Sequence, residues 1–256
     1  MRIIRYDSEG ATRWGVLGSD DTVYAAEGEP WDGAGLRQGP AVGPVDDVRL
    51  CAPVTPSKIV CVGRNYADHA AELGNPVPKE PLVFLKPPSA IIGPGDDVVY
   101  PSLSGRVDPE AELVVVIGRT GRRVPPEEAM SMVAGYTCGN DVTARDLQRS
   151  DPQWTRGKGF DTFCPLGPWV DTEFDPADVR VTCEVDGELR QDGRTRDFIF
   201  DIPTLIAYIT AFARLEAGDV IMTGTPAGVG PVRIGDTMTV AVTGLGRLTN
   251  RVVADR

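Results

Sequence analysis

The sequence predicts a mixed, mostly β fold: a small β-rich unit over residues 1–52, then a larger β-dominated domain with inserted helices over 53–256. Three observations predict it. Short β-branched runs bounded by Gly, Pro, Asp or Asn recur along the chain. Helical stretches are few and do not alternate with the strands as a parallel α/β fold requires. Prolines at 53 and 56, after a Gly/Pro-rich stretch from Gly28 to Pro44, mark a boundary. At 256 residues the chain can hold a large domain plus a small one and bury a sizeable core.

In the first unit, MRIIRY and RWGVLG read as strands joined by the polar turn DSEGAT, and TVYAAE as another. In the second, KIVCVG, LVFLKP, DVVYP, ELVVVIG, AGYTCGND, PLGPWV, VRVTCEVDG, DVIMTGTP and DTMTVAVTGLG carry the strand signal. Three stretches read as helices. ADHAAEL ends at Gly74, a C-terminal stop. PPEEAMSMV has prolines in its first turn and acids near its start. IPTLIAYITAFARL follows Asp201, a good N-cap.

Composition excludes several function classes. The formal charge is −11, from 26 basic and 37 acidic residues. Nucleic acid and anionic membrane both need a clustered basic surface, so neither is expected as a partner. A small anionic substrate needs only local positive charge, which a metal ion can supply. The five cysteines are scattered with no CxxC spacing, as reduced thiols in a cytosolic protein are. MRIIRYDSEGATRWG lacks the apolar run of a signal peptide, and no stretch approaches a membrane span, so a cytoplasmic protein is expected.

Five segments carry candidate chemistry. In Asp108-Pro-Glu110-Ala-Glu112-Leu-Val-Val-Val-Ile-Gly118 the two glutamates are two apart on a strand and point the same way. Buried together they repel and lose hydration, unless a hard divalent cation compensates. Acids left in solvent before the strand turns inward fit the motif equally. In Gly139-Asn140-Asp141-Val-Thr143-Ala-Arg145-Asp146-Leu-Gln148, Asp141 is a candidate third carboxylate. Arg145 and Gln148, four and seven residues on, share a helical face suited to a substrate carboxylate or carbonyl. A turn with a solvated ion-pair face is the plainer alternative.

The third segment, Val62-Gly63-Arg64-Asn65-Tyr66-Ala67-Asp68-His69-Ala70-Ala71-Glu72, runs from a strand into a helix. It holds the only histidine of the chain, three residues before Glu72. A carboxylate beside an imidazole orients it and raises its basicity, as a general base requires; an exposed or structural histidine is the alternative. The fourth, Trp154-Thr-Arg156-Gly-Lys158-Gly-Phe160, places a lysine between glycines, where it can approach a ligand or merely decorate a surface loop. Thr223-Gly224-Thr225-Pro226-Ala-Gly228-Val-Gly230 offers N–H groups and hydroxyls to an oxyanion but lacks the Gly-Lys-Ser/Thr of a P-loop.

Taken in order, KIVCVGRNYADHAAELG, PLVFLKPPSAIIGPGD, DPEAELVVVIG, GYTCGNDVTARDLQ, WTRGKGFDTFCPLGPW, VDGELRQDG and IMTGTPAGVGPV resemble the blocks of the fumarylacetoacetate hydrolase family over roughly residues 58–232. The look is nearest its acylpyruvase and oxaloacetate decarboxylase branch and the related decarboxylase/isomerases of aromatic catabolism. The resemblance implies a mixed β-roll core, a homodimer, and Mg²⁺ or Mn²⁺ in the site. It implies that Glu110, Glu112 and Asp141 bind the metal, and that His69 and Glu72 form an acid–base dyad on a helix closing over substrate. Lys158 then stabilises or protonates a developing enolate, and Arg64, Lys86, Arg145, Gln148 and Thr225 contact substrate. One departure stands out. The hydrolase that names the family has a further carboxylate ligand before its histidine, whereas Cys61 to Ala67 holds no acid. That fits three protein ligands plus water.

The implied substrate is a small 2-oxo acid, whose carboxylate and ketone oxygens both reach one cation. The shared intermediate is an enolate. Hydrolysis of an acylpyruvate-type C–C bond is expected first, decarboxylation next, isomerisation third. A catalytically silent metabolite binder is the rival, and it has no use for His69 beside Glu72.

Overall fold

A computed structural model of the chain describes residues 1–31, 35–72 and 74–255. The fold is mostly β, as its sequence predicts. One large sheet runs from an edge at Arg37–Pro44 through Thr22–Glu27, Ala11–Leu17 and Arg2–Ser8 to Cys164–Asp171. It continues through Val133–Asn140, Ala111–Ile117, Val220–Met222 and Ile59–Gly63 to the other edge at Leu82–Lys86. The N-terminal strands thus extend the main sheet, joined by the register Arg2↔Asp171 and Ile3↔Val170. A second sheet orders Glu188–Arg194, Arg180–Val185, Thr237–Val242, Gly246–Ala254 and Val98–Tyr100.

Ala111–Ile117 lies between two apolar layers, which explains its unbroken apolar run. Leu113, Val115 and Ile117 pack with Val181, Cys183, Val240 and Val242 of the second sheet. Val114 and Val116, on the other face, pack with Ile59, Cys61, Leu166, Val220 and Met222. By strand alternation Glu110 and Glu112 belong to this second face.

Among the described residues five α-helices are inserted: α1 Ala67–Glu72, α2 Pro126–Ala129, α3 Arg145–Ser150, α4 Thr155–Lys158 and α5 Ile202–Phe212. α1 stops as expected before Gly74, whose φ is +69°; Leu73, the last residue of the expected helix, lies outside the described residues. α5 is capped as its sequence predicts, Asp201 accepting from Thr204 N at 2.9 Å. α2 is a single turn continued by a 3₁₀ turn over Met130–Met132.

Three strands were less visible in the sequence. Arg37–Pro44 falls in the Gly/Pro-rich stretch, and its place at a sheet edge is where prolines are tolerated. Glu188–Arg194 is rich in polar residues because only Gln191 in it is buried, and Gly246–Ala254 because it alternates between the core and solvent. Among the described residues no helix is long and apolar enough to cross a membrane, and the five cysteines are free thiols.

Candidate active site

Strand register builds the floor of the site. Ala111–Ile117 and Val133–Asn140 pair antiparallel with Ala111↔Asn140 and Glu112↔Gly139. The ladder extends one step further, Asp141 N donating to Glu110 O at 2.9 Å. Asp141 therefore stands across from Glu110, and directly opposed residues share a face. Glu112, two residues along, joins them opposite a glycine that leaves room. Ligand atoms of Glu110, Glu112 and Asp141 all lie within 4.8 Å of one another, and all three residues are buried. The solvated alternative for the two glutamates is thereby removed.

Basic side chains surround this cluster unequally. Lys158 Nζ donates to Glu110 Oε2 at 2.7 Å and Asp141 Oδ2 at 2.6 Å. Arg145 donates through Nη2 to Glu110 Oε1 at 2.6 Å, through Nε to Asp108 Oδ2 at 3.0 Å and through Nη1 to Gln148 Oε1 at 2.7 Å. Lys86 Nζ donates to Asp141 Oδ1 at 2.5 Å and to Val142 O at 3.1 Å. Glu112 has only the Gly224 N–H, donated to its Oε2 at 2.8 Å; among the described residues no basic side chain pairs with it. Burial works to raise Glu110, but Lys158, Arg145 and His69 outweigh it and hold that carboxyl well below its usual range. Burial, together with Asp141 and Glu110, pushes Glu112 well above it. A buried set of carboxylates whose members differ this way is short of one positive centre. The all-oxygen donor set fits a hard divalent cation.

Local sequence explains how the lysine gets there. Lys158 ends the short helix α4 and is 2% exposed. A Cβ at Gly157 would lie 2.8 Å from Gln148 N, so α3 and α4 approach as they do because that residue is glycine. The alternative of a glycine-rich surface loop thus gives way to a packed helical turn. Thr223-Gly224-Thr225 lies along the floor strand: Thr223 Oγ1 and Thr225 Oγ1 each donate at 2.8 Å, to Leu113 O and Ala111 O. The oxyanions this segment holds are the chain's own, Glu112 at Gly224 N and Glu72 at Gly228 N, with Gly228 3.1 and 3.2 Å from the two carboxylate oxygens.

His69 is buried on α1, with Nδ1 3.5 Å from Glu72 Oε2. That separation is a close contact rather than a hydrogen bond, and among the described residues Nδ1 has no hydrogen-bond partner. Burial, the dominant influence, lowers the imidazole's affinity for a proton and keeps the ring neutral near pH 7. His69, Glu110, Glu112, Arg145, Lys158 and Thr225 line one cleft of about 350 Å³, which also takes in Arg64 and Gln148. That volume is at the small end of ligand pockets.

Of the residues singled out in the sequence, Lys86 and Thr225 sit differently from a plain substrate contact. Lys86 is 1% exposed, stands behind Asp141 and does not line the cleft. Thr225 lines it, but its hydroxyl already donates to Ala111 O and accepts from Gln191 Nε2 at 2.7 Å. Arg145 is committed to Asp108, Glu110 and Gln148, so it braces the floor. Asp141 precedes α3, so it shares no helical face with Arg145.

Sequence reasoning gave no role to Asp108, Asn140 or Gln191. Asp108 is fully buried between Arg145 and the fork of Arg106, at 2.9 and 3.0 Å. Asn140 Oδ1 accepts from Glu110 N at 2.9 Å. Gln191 Oε1 accepts from Ala111 N at 2.9 Å. Asp108 carried a signal, being the first acid of the Asp-x-Glu-x-Glu run; Gln191 carried none, since its partners lie 80 and 34 residues away.

Comparison with known proteins follows the same geometry. Residues 58–253 match the family described as Fumarylacetoacetate (FAA) hydrolase C-terminal, and residues 1–53 match Rv2993c-like, N-terminal. Human oxaloacetate tautomerase FAHD2A, mitochondrial, is 47% identical over 223 residues, covering 82% of this chain and 71% of that protein. The structure of 5-carboxymethyl-2-hydroxymuconate delta-isomerase from Mycobacterium smegmatis matches with TM-score 0.92 and 44% identity, over 100% of both chains. Maleylpyruvate hydrolase from Sphingobium sp. SYK-6, solved with manganese (II) ion and pyruvate, matches with TM-score 0.82 and 34% identity, again over 100% of both.

Proposed function

The chain belongs to the fumarylacetoacetate hydrolase family, and from that premise we propose that it is a divalent-cation-dependent enzyme that forms and discharges the enolate of a small 2-oxo acid. The observation that carries this reading is the convergence of Glu110, Glu112 and Asp141, with both glutamates lining a cleft that also holds Lys158 and His69.

Mg²⁺ or Mn²⁺ bound by the three carboxylates supplies a Lewis acid for a ketone oxygen and for the charge that grows on it. The chain's own groups do the rest. Lys158 places a fixed positive charge beside the same developing charge, in a site that needs no reorganisation. His69, neutral because it is buried, takes or returns the proton at the carbon next to the ketone. Glu72 orients the ring from its Nδ1 side. Arg145 and Asp108 keep Glu110 in place.

Moving a proton between carbon and oxygen asks for nothing beyond these groups. The relatives named tautomerase and isomerase, 47% and 44% identical to this chain, support tautomerisation or isomerisation as the net reaction. Acylpyruvate-type C–C hydrolysis, expected first from the residues, is the second reading. The contact between the buried His69 and the part-exposed Glu72 favours it, since such a pair suits activation of a water. The test is a substrate panel with Mg²⁺ or Mn²⁺ and NMR identification of products: enol-oxaloacetate, a 2-hydroxydiene-dioate, acetylpyruvate and fumarylpyruvate. Cation-dependent turnover of none of them would remove the reading; the products formed decide between proton transfer and cleavage.

A further inference from the structure

Ala111, the residue between Glu110 and Glu112, has both of its backbone groups held by side chains. Strand Val220–Met222 pairs with the floor strand as far as Val114↔Met222, and Thr223 N adds one more bond, to Leu113 O at 3.2 Å. Past that point side chains take over from the ladder. Ala111 N donates to Gln191 Oε1 at 2.9 Å, and Ala111 O accepts from Thr225 Oγ1 at 2.8 Å. Gln191 Nε2 closes the ring by donating to Thr225 Oγ1 at 2.7 Å, and it also donates to Pro226 O at 2.8 Å. The partners fix which way the amide points, since only its oxygen can meet an N–H and only its nitrogen a carbonyl.

Gln191 reaches this place from the second sheet. It is the only buried residue of strand Glu188–Arg194, and it has no exposure to solvent. Its oxygen and both N–H groups are in use, and breaking any one bond would strand a polar group away from water. It touches two regions. One is Ala111, whose placing sets the positions of Glu110 and Glu112. The other is the loop Thr225–Gly228, which receives the Glu72 carboxylate at Gly228 N. That loop is pressed against the same strand: Gly228 has φ +104°, and a Cβ on it would collide with Arg190 O. Gln191 itself does not line the cleft.

We propose that Gln191 is a positioning residue, the common anchor of the carboxylate floor and of the loop that receives α1. Through Ala111 it holds the two glutamates where one cation can take both. Through Thr225 and Pro226 it holds the loop where Glu72 reaches it. It touches neither cation nor substrate, and outer-shell groups of this kind govern affinity through the ligands they orient. The first half of the assignment rests on the cation reading of the floor; the second half does not.

The experiment reads Mn²⁺ affinity of the full chain by calorimetry and, without metal, amide exchange of residues 66–72. Gln191→Met keeps the length of the side chain and deletes its hydrogen bonds. Mn²⁺ affinity should fall about 10–100-fold, and the α1 amides should exchange about fivefold faster. Gln191→Glu, in either protonation state, still accepts from Ala111 N and lacks at least one of the two N–H donations. It should recover Mn²⁺ affinity to within about threefold of the unaltered chain, while α1 exchange stays raised. Asn250→Leu is the reference for an amide that only supports the fold. Asn250 is also buried and donates to Gly93 O and Asp96 O, both at 2.8 Å. This variant should lose stability to denaturant and leave both readouts unmoved. If Gln191→Met leaves either readout where Asn250→Leu leaves it, there is no common anchor. If Gln191→Glu recovers none of the lost affinity, the link through Ala111 is overturned. An unaltered chain that binds no Mn²⁺ overturns the cation reading instead, and α1 exchange in Gln191→Met still decides the loop half.

Discussion

The floor of the cleft and the helix α1 above it are built to different standards. Glu110 is fixed four ways: its carbonyl by Asp141 N, its N–H by Asn140, its carboxylate by Lys158 and Arg145. Glu110, Asn140 and Asp141 sit at the end of a strand pair of the central sheet, and Arg145 and Lys158 reach them from α3 and α4. His69 rides on a six-residue helix, too short to be stable alone, whose acid Glu72 meets the opposite loop only at Gly228 N. On the proposed function, the groups that would hold a cation are part of the core, and the group that would move a proton lies on a short, weakly tethered element. A cation site needs fixed distances; a base that must admit substrate beneath it needs an element of low local stability.

The sharpest break of this comparison is removal of the cation. Exhaustive chelation should take turnover to background, and added Mg²⁺ or Mn²⁺ should restore it. Glu112→Gln should reproduce the loss, lowering activity by about 10³-fold or more, with Mn²⁺ affinity by calorimetry falling in parallel. Full activity after chelation, with no metal by elemental analysis, would dismiss the floor as a cation site.

Next in size is His69→Ala. Loss of a general base lowers turnover by about 10²–10⁴-fold, while Mn²⁺ affinity should move by less than about twofold, since the imidazole belongs to the other region. Stopped-flow kinetics with matched calorimetry separate the two. A drop in Mn²⁺ affinity as large as the drop in rate would place His69 with the floor and erase the distinction.

The floor itself divides between its two glutamates. Glu110→Gln leaves Lys158 and Arg145 short of a buried counter-charge, which costs about 3–5 kcal/mol of stability without metal. Glu112→Gln removes a carboxylate with no basic partner and should leave the metal-free protein as stable or slightly more so. Denaturant unfolding in EDTA reads both. Equal destabilisation would mean that the two carboxylates are balanced alike.

Much of this was legible before any coordinates. The Glu110/Glu112 alternation, the capped helix at Asp201 and the strand runs all follow from local periodicity. From its own segment Asp141 was a candidate third carboxylate with a turn as the alternative, and only the resemblance placed it with the glutamates, because register across two strands is not a local property. The brace roles of Arg145 and Lys86 were hidden for a related reason: a buried cation and a substrate-binding cation have the same composition signature, and only their partners tell them apart. Gln191 and the edge strand Arg37–Pro44 were missed because long-range pairing overrides what their own neighbours suggest.

The smallest expected effect concerns how α1 stays shut. Its hold on the loop is the Glu72 carboxylate at Gly228 N, at 3.1 and 3.2 Å, with Glu72 about one third exposed. A solvent-accessible hydrogen bond of this kind contributes about 1 kcal/mol. Glu72→Ala should therefore raise the opening equilibrium of α1 only about fivefold. Amide exchange of residues 66–72 should speed up by that factor, while the amides of Ala111–Ile117 keep their rates. Oxalate added with Mn²⁺ should slow the same α1 amides in the unaltered chain, because a ligand that binds the closed form shifts the equilibrium toward it. In Glu72→Ala oxalate should recover part of the lost protection. Exchange that accelerates equally in α1 and in the floor strand would mean that the two regions open as one unit, and the division of labour between them would not survive.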